Sequence, residues 1–276
     1  MHADDRFTLF RMTNFHPTAV IDASARIGKG VTIGPYCVVG PDVQLDDAVT
    51  LKAHVVVDGS TIVGAGTTIY PFASIGSAPQ DLKYKGEPSL LVIGKNNIIR
   101  EYVTMNPGTA GGGLRTVIGN NSLFMVGAHV AHDCLIGSHV VMANNATLGG
   151  HVRVGDHVVI GGLAAVHQFI RIGAFAVIGG TSGVESDVIP FGRVKGDRAY
   201  LAGLNLVGLE RGGFSRGQIK TMQKAVNQLF GENGTLEERV QELEKDFGTD
   251  ANIGQIIQFV RERNRFGLCQ PQRTVA

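Results

Sequence analysis

The chain has 276 residues, of which 43% are hydrophobic and 18% charged, with 38 glycines and no tryptophan. That much apolar material excludes a disordered chain, and nine prolines without a glycine every third residue exclude a collagen-like one. With 25 basic against 24 acidic side chains the net charge is +1, so no global field invites nucleic acid or an anionic membrane, and anion binding must be local.

The N-terminal MHADDRFTLFRM has two early acids and no apolar leader, so residues 1–14 read as an extension without an assigned role. No eighteen residues in a row are apolar, which predicts no membrane insertion. Cys37, Cys134 and Cys269 are widely spaced and odd in number, arguing for a reducing compartment; a soluble cytoplasmic protein is expected.

From Ile21 an aliphatic residue recurs every six positions through Ile27, Ile33, Val39, Leu45, Leu51, Val57, Val63, Ile69 and Ile75. The register breaks near 76–92, resumes at Ile93, Ile99 and Met105, breaks again near 107–117, and then runs from Ile118 to Val184. All 25 positions are apolar, and 13 of them are followed by glycine. The pattern is that of a parallel β-helix, with three hexads per triangular coil and glycine at the corners, where it can adopt positive φ and let coils approach closely. The first break spans 18 residues, one whole coil, and the second adds seven beyond the sixfold count. Long insertions in such a solenoid are usually functional or oligomer-forming.

After Lys195 the register ends and helical spacing begins. Ser215 with Gln218 and Thr235 with Glu238 match capping boxes, while Ile219, Met222, Val226 and Leu229 recur at three and four. A β-helix over 15–195 is therefore followed by a helical domain over 196–276, which would cover the last coil.

Residues 18 apart lie above one another in such a coil. The hexads VAHDCL, LGGHVR and VHQFIR therefore stack, placing His132, His151 and His167 on one side of the prism, with His129 at the neighbouring corner and Asn106 below. Imidazole, with an unperturbed pKa of about 6.5, suits a general base at neutral pH. Asp133 could orient His132, provided the backbone turns between them, since strand neighbours point to opposite faces. Three histidines could instead bind zinc, although a vertical column is too spread out to converge on one ion. Cys134 reads as a small buried hydrophobe. A glycine before His151 could offer an amide to an oxyanion, the loop residues Gln80, Asp81, Lys83 and Lys85 could hold sugar or phosphate, and Arg211 could pair with a phosphate or form a salt bridge.

Together with QDLKYKGEP, AHVAHDCLIG, ANNATLGGHV, GGLAAVHQFIRIGA and GLNLVGLERGGFS, these hexads resemble the bacterial UDP-N-acetylglucosamine O-acyltransferases that begin lipid A synthesis. The resemblance runs from about Phe15 to the end. It implies a mainly β fold, a left-handed parallel β-helix with a C-terminal α-helical domain, assembled as a homotrimer with clefts between subunits. It also implies transfer of an (R)-3-hydroxyacyl chain from acyl carrier protein to the glucosamine 3-hydroxyl, with neither metal nor organic cofactor. Position by position, His132 becomes the general base, Asp133 its partner and Gly150 the oxyanion amide. Gln80, Asp81, Lys83, His129, His151, His167 and Gln168 line the sugar, acyl and nucleotide groove, Asn205 and Arg211 face the UDP, and Gly180 gauges acyl length. Asn106, Val207 and Gly212 depart from the family pattern, which weakens the nucleotide contacts. The rival readings are an N-acyltransferase of the same lipid pathway, the 3-amino sugar as acceptor, a zinc-dependent hydratase of the carbonic anhydrase type, and a non-catalytic scaffold.

Overall fold

A computed structural model describes residues 14–262 and 265–272; the extension assigned to 1–14 therefore lies, but for Asn14, outside the described residues. Asn14 already pairs with Thr32 as part of the first coil. Two-residue strands alternate among three parallel sheets, here called the first, second and third faces of a prism. Ile33 stacks under Leu51 on the first, Val39 under Val57 on the second and Leu45 under Val63 on the third. The hexad aliphatics fill the prism: Ile69, Ile75, Ile99 and Leu148 are 0% exposed. Burying such a side chain contributes about 1.5–3 kcal/mol. The residue two positions before most of them, often small or β-branched as in Val31, Val49, Val55 or Ala128, is buried as well.

The corners differ from the expectation in their chemistry. Among the 13 hexad glycines only Gly76 has positive φ. The left-handed corner residues are mostly others, including His54, Phe72, Asn96, Asp133, His151, His157 and Phe169, with φ between 56° and 69°. Each corner is anchored to the coil below, as when His151 N–H donates to His132 O at 3.0 Å and Phe169 N–H to Gly150 O at 2.9 Å. Stacked rings add contact, His139 on His157 at 4.7 Å and His157 on Phe175 at 4.5 Å. Apart from Gly76, the hexad glycines serve the second purpose only. A Cβ on Gly64 would lie 2.5 Å from Gly94 C, and one on Gly119 2.6 Å from Gly137 C.

The first break is not a whole coil. Ile75 lies on the second face, and Ile93 follows on the third, paired with Val63. The residues between them leave the prism as a loop at the corner joining those faces. The second insertion, ahead of Arg115–Ile118, leaves from the same corner one coil later. The two are tied together where Ala110 N–H donates to Glu87 Oε1 at 2.9 Å.

Beyond the prism, Gly192–Lys195 pairs antiparallel with Tyr200–Leu204, so strand persists past Lys195. Four helices follow among the described residues: α1 (Leu206–Arg211), α2 (Arg216–Leu229), α3 (Leu236–Phe247) and α4 (Ala251–Arg261). Both expected capping boxes form, and Ile219, Met222, Val226 and Leu229 are buried. Phe214 packs edge-on against Phe175 and Phe191, closing the upper end of the prism. No helix among the described residues is long and apolar enough to cross a membrane.

Candidate active site

The corner between the second and third faces brings His132, Asp133 and His151 within 4.8 Å of one another. Three successive coils contribute His132 and Asp133, then Gly150 and His151, then Gln168 and Phe169. Asp133 takes the left-handed turn with φ 60°. That turn brings two sequence neighbours to one side, and His132 Nδ1 lies 2.8 Å from Asp133 Oδ2. The hydrogen-bond network assigns the Nδ1 proton as donor and leaves Nε2 as acceptor. Asp133 is fully enclosed and anchored by the second insertion. Thr109 donates its N–H to Oδ1 at 3.0 Å and its Oγ1–H to Oδ2 at 2.6 Å, while Asp133 N–H donates to Thr116 Oγ1 at 2.8 Å.

Gly150, on the next coil, packs against the His132 ring so closely that a Cβ would stand 2.5 Å from Cε1 and 2.7 Å from Nε2. Its N–H donates to no acceptor among the described residues. His151 meets His132 edge-on at 5.1 Å, stacks on Phe169 at 4.3 Å, and holds Nε2 3.9 Å from Asp133 Oδ2. Burial pushes its pKa below the ordinary histidine value, against the opposing pull of Asp133 and of Asp81, which reaches this corner from the first insertion. Asn106, beneath the corner, ties that insertion down by donating Nδ2–H to Ser77 O at 2.9 Å.

The other predicted positions are distributed differently. His129 is on the flat second face, not at a corner, and its Nδ1 lies 2.7 Å from Thr104 Oγ1. Burial, then the neighbouring His132, lowers its pKa. His167 is exposed, its Nδ1 3.0 Å from Gln168 O and its ring beside Phe266, so it does not join the His132–His151 pair. Gln168, Gln80 and Lys83 are exposed. Gly180 sits at the corner between the first and second faces, next to the left-handed Thr181. Asn205 and Arg211 bracket α1 near the remaining corner. There Asn205 is the helix cap, with Oδ1 accepting from Gly208 N–H and Nδ2 donating to Phe175 O. Cys134 is buried as expected, and burial pushes its thiol up to about 12. The one group of ligand atoms among the described residues that could meet a cation is His132, Asp133 and His151, within 4.8 Å of one another. It comprises two imidazoles and a carboxylate already engaged by Thr109, not the three histidines weighed for zinc.

Thr109, Thr116 and Glu87 were not legible as site residues, because their partners are reached only across insertions. The signal available for Thr109 was its place directly inside the seven-residue surplus.

The C-terminal 187–269 matches the model of UDP-N-acetylglucosamine O-acyltransferase domain 2, and residues 24–59 and 115–150 match the bacterial transferase hexapeptide model. An acyl-[acyl-carrier-protein]–UDP-N-acetylglucosamine O-acyltransferase of Rickettsia canadensis is 51% identical over 257 residues, covering 93% of this chain and 97% of the relative. The chain belongs to the UDP-N-acetylglucosamine O-acyltransferase family. A member of the family from Caulobacter vibrioides is 48% identical over 262 residues, 95% of this chain and 100% of its own. Among solved structures, the Acinetobacter baumannii protein superposes with a TM-score of 0.90 at 38% identity, covering 93% of this chain and 99% of that one. The Arabidopsis UDP-N-acetylglucosamine acyltransferase gives 0.81 at 37%, covering 93% and 100%. This family is the one whose resemblance was read from the hexads and the histidine segments.

Proposed function

We propose that the protein transfers an (R)-3-hydroxyacyl chain from acyl carrier protein to the glucosamine 3-hydroxyl of UDP-N-acetylglucosamine, the reaction that opens lipid A synthesis, and that His132 is the general base. The observation that carries this reading is the short His132–Asp133 bond beside the uncommitted Gly150 N–H. With Nδ1–H directed at Asp133, His132 Nε2 accepts the proton of the sugar hydroxyl as the oxygen attacks the thioester carbonyl. The Gly150 amide donates to the oxyanion that develops. Collapse breaks the C–S bond, and the departing thiolate takes the proton back from His132, leaving the ester and the carrier thiol. Asp133 stabilises the transient imidazolium without accepting the proton.

Asp81, Lys83, Gln80, His129 and His151 would hold the sugar, and His167 and Gln168 the outer part of the groove. Gly180 and the Asn205–Arg211 segment stand at other corners of the same prism, so they reach this groove only from neighbouring chains. That distribution supports a homotrimer with shared sites, Arg211 facing the nucleotide across a subunit boundary. Buried, unpaired cysteines and the absence of a membrane-crossing helix among the described residues fit a cytoplasmic enzyme.

The test is His132→Ala assayed with UDP-N-acetylglucosamine and a panel of hydroxyacyl carrier proteins, products read by mass. General-base loss is worth about 10²- to 10⁴-fold, so turnover should fall at least that far in a correctly assembled variant. Near wild-type turnover would remove His132 from the chemistry. The same panel run with the 3-amino sugar identifies the acceptor.

A further inference from the structure

The second insertion grips the catalytic pair, yet its sequence is poorly suited to hold itself in place. Asp133 Oδ2 accepts the Thr109 Oγ1–H at 2.6 Å and also faces His132 Nδ1 at 2.8 Å, so a displacement of Thr109 reaches the imidazole through a single oxygen atom. Four of the seven residues from Gly108 to Leu114 are glycine, which loses the most backbone freedom on ordering. A Cβ on Gly112 would strike the Asp133 carboxylate, so a stiffer residue cannot replace that glycine.

The brace comes from the first insertion. Glu87, half-buried near the end of that loop, accepts Ala110 N–H on Oε1 at 2.9 Å and Lys85 N–H on Oε2 at 2.8 Å. These amides hold the Glu87 carboxyl below the usual carboxylate range, so it is ionised at neutral pH and both bonds are charge-assisted. Ala110 is the direct neighbour of Thr109, so fixing its N–H fixes the residue that grips Asp133. The start of the same loop is anchored separately, Asn106 Nδ2–H donating to Ser77 O at 2.9 Å and to Ala78 O at 3.3 Å. Asp81 follows that anchor closely, in a turn closed by Tyr84 N–H on Asp81 O at 3.0 Å. Loss of the Glu87 carboxylate therefore frees the second insertion while the Asp81 turn keeps its own support.

We infer that Glu87 is a positioning residue for the His132–Asp133 pair, clasping the glycine-rich insertion where Thr109 orients the Asp133 carboxylate. It acts through Ala110 and Thr109, at two removes from the reacting atoms. Its effect on rate rests on the proposed function; its effect on the His132 ring rests on the contacts alone.

The test compares full-length wild type with Glu87→Ala and Glu87→Gln, by steady-state turnover and by nitrogen NMR of protein labelled with ¹⁵N-histidine, the His132 signals being those missing from His132→Ala. Glu87→Ala should lower kcat by about tenfold to a hundredfold, leave KM for UDP-N-acetylglucosamine within about twofold, and keep a melting temperature close to wild type. Its His132 signals should move away from those of a ring protonated on Nδ1, which the wild type should show. Glu87→Gln keeps a carbonyl oxygen for the Ala110 N–H and should recover much of the rate. Combined with Thr109→Val, the loss in kcat should fall short of the product of the two single losses, because both act on Asp133. Unchanged His132 signals in Glu87→Ala, an unchanged kcat in active enzyme, or losses that multiply in the double variant overturn the inference. Wild-type protein that transfers no acyl chain defeats the proposed reaction instead, and the His132 signals then decide the role of Glu87 by themselves.

Discussion

Asp133 shows what a single backbone conformation does for this site. In an extended strand its carboxylate and the His132 ring would face apart; at φ 60° they lie 2.8 Å from each other. A left-handed non-glycine residue costs about 1–2 kcal/mol, which the bonds from Thr109 and to Thr116 offset. Thr109→Val deletes the 2.6 Å donor and keeps the backbone one. The variant should lose about 1–3 kcal/mol of stability, seen as a lowered melting temperature, and its pH–rate profile should shift while Thr109→Ser restores both. Burial also sets a pH dependence. His129 and His151 have lowered folded-state pKa values, so the unfolded chain binds more protons than the native one just below the ordinary histidine value. Their share of stability is complete above about pH 6.5 and is lost as pH falls through the lower folded values; melting temperatures from pH 7.5 to 5, flattened in His129→Gln, check the sign.

At the scale of elements, the hexad glycines and the insertions do different jobs. Gly119 lies under the backbone of Gly137, with no positive φ to maintain. Gly119→Ala should therefore cost about 1–3 kcal/mol through displaced coils. Gly111→Ala, in the second insertion, where an added Cβ would come no closer than 4.0 Å to Thr109 Oγ1, should be close to neutral in the same denaturation series. The insertions themselves were visible as breaks in register, yet the 18-residue gap is a loop with no rung of its own. A count of six multiplied by three is equally compatible with a coil and with an excursion, and only hydrogen-bonding partners distinguish them. The partner of Ile93 is Val63. That pairing keeps Asp81 beside His151 instead of burying its segment in the prism.

For the whole molecule, the decisive feature is that residues assigned to one site occupy three corners of one prism. A rigid stack of coils cannot bring Gly180 or Arg211 to His132 within a chain, so the proposed site needs a neighbour to complete it. Mixing His132→Ala chains with Arg211→Ala chains, by joint refolding, should recover activity that neither variant has alone, if the proposed trimer shares its sites. In a random trimer about one quarter of the sites combine both native residues. Recovery near zero would confine each site to one chain, and an active Arg211→Ala protein on its own would place Arg211 outside the site.

The sequence by itself determined the β-helix, the helical cap and the stacking of the His132 and His151 coils, because a six-residue period and an 18-residue coil convert chain position directly into height and face. It also located both capping boxes, whose partners are three residues apart. Tertiary structure alone decided that His167 turns away towards Phe266, that Asp133 is gripped by Thr109, that Asn205 caps a helix, and that arginines from three strands and a distant turn share one groove. Those outcomes depend on corner torsions and on loops that leave the repeat, where position along the chain no longer fixes position in space.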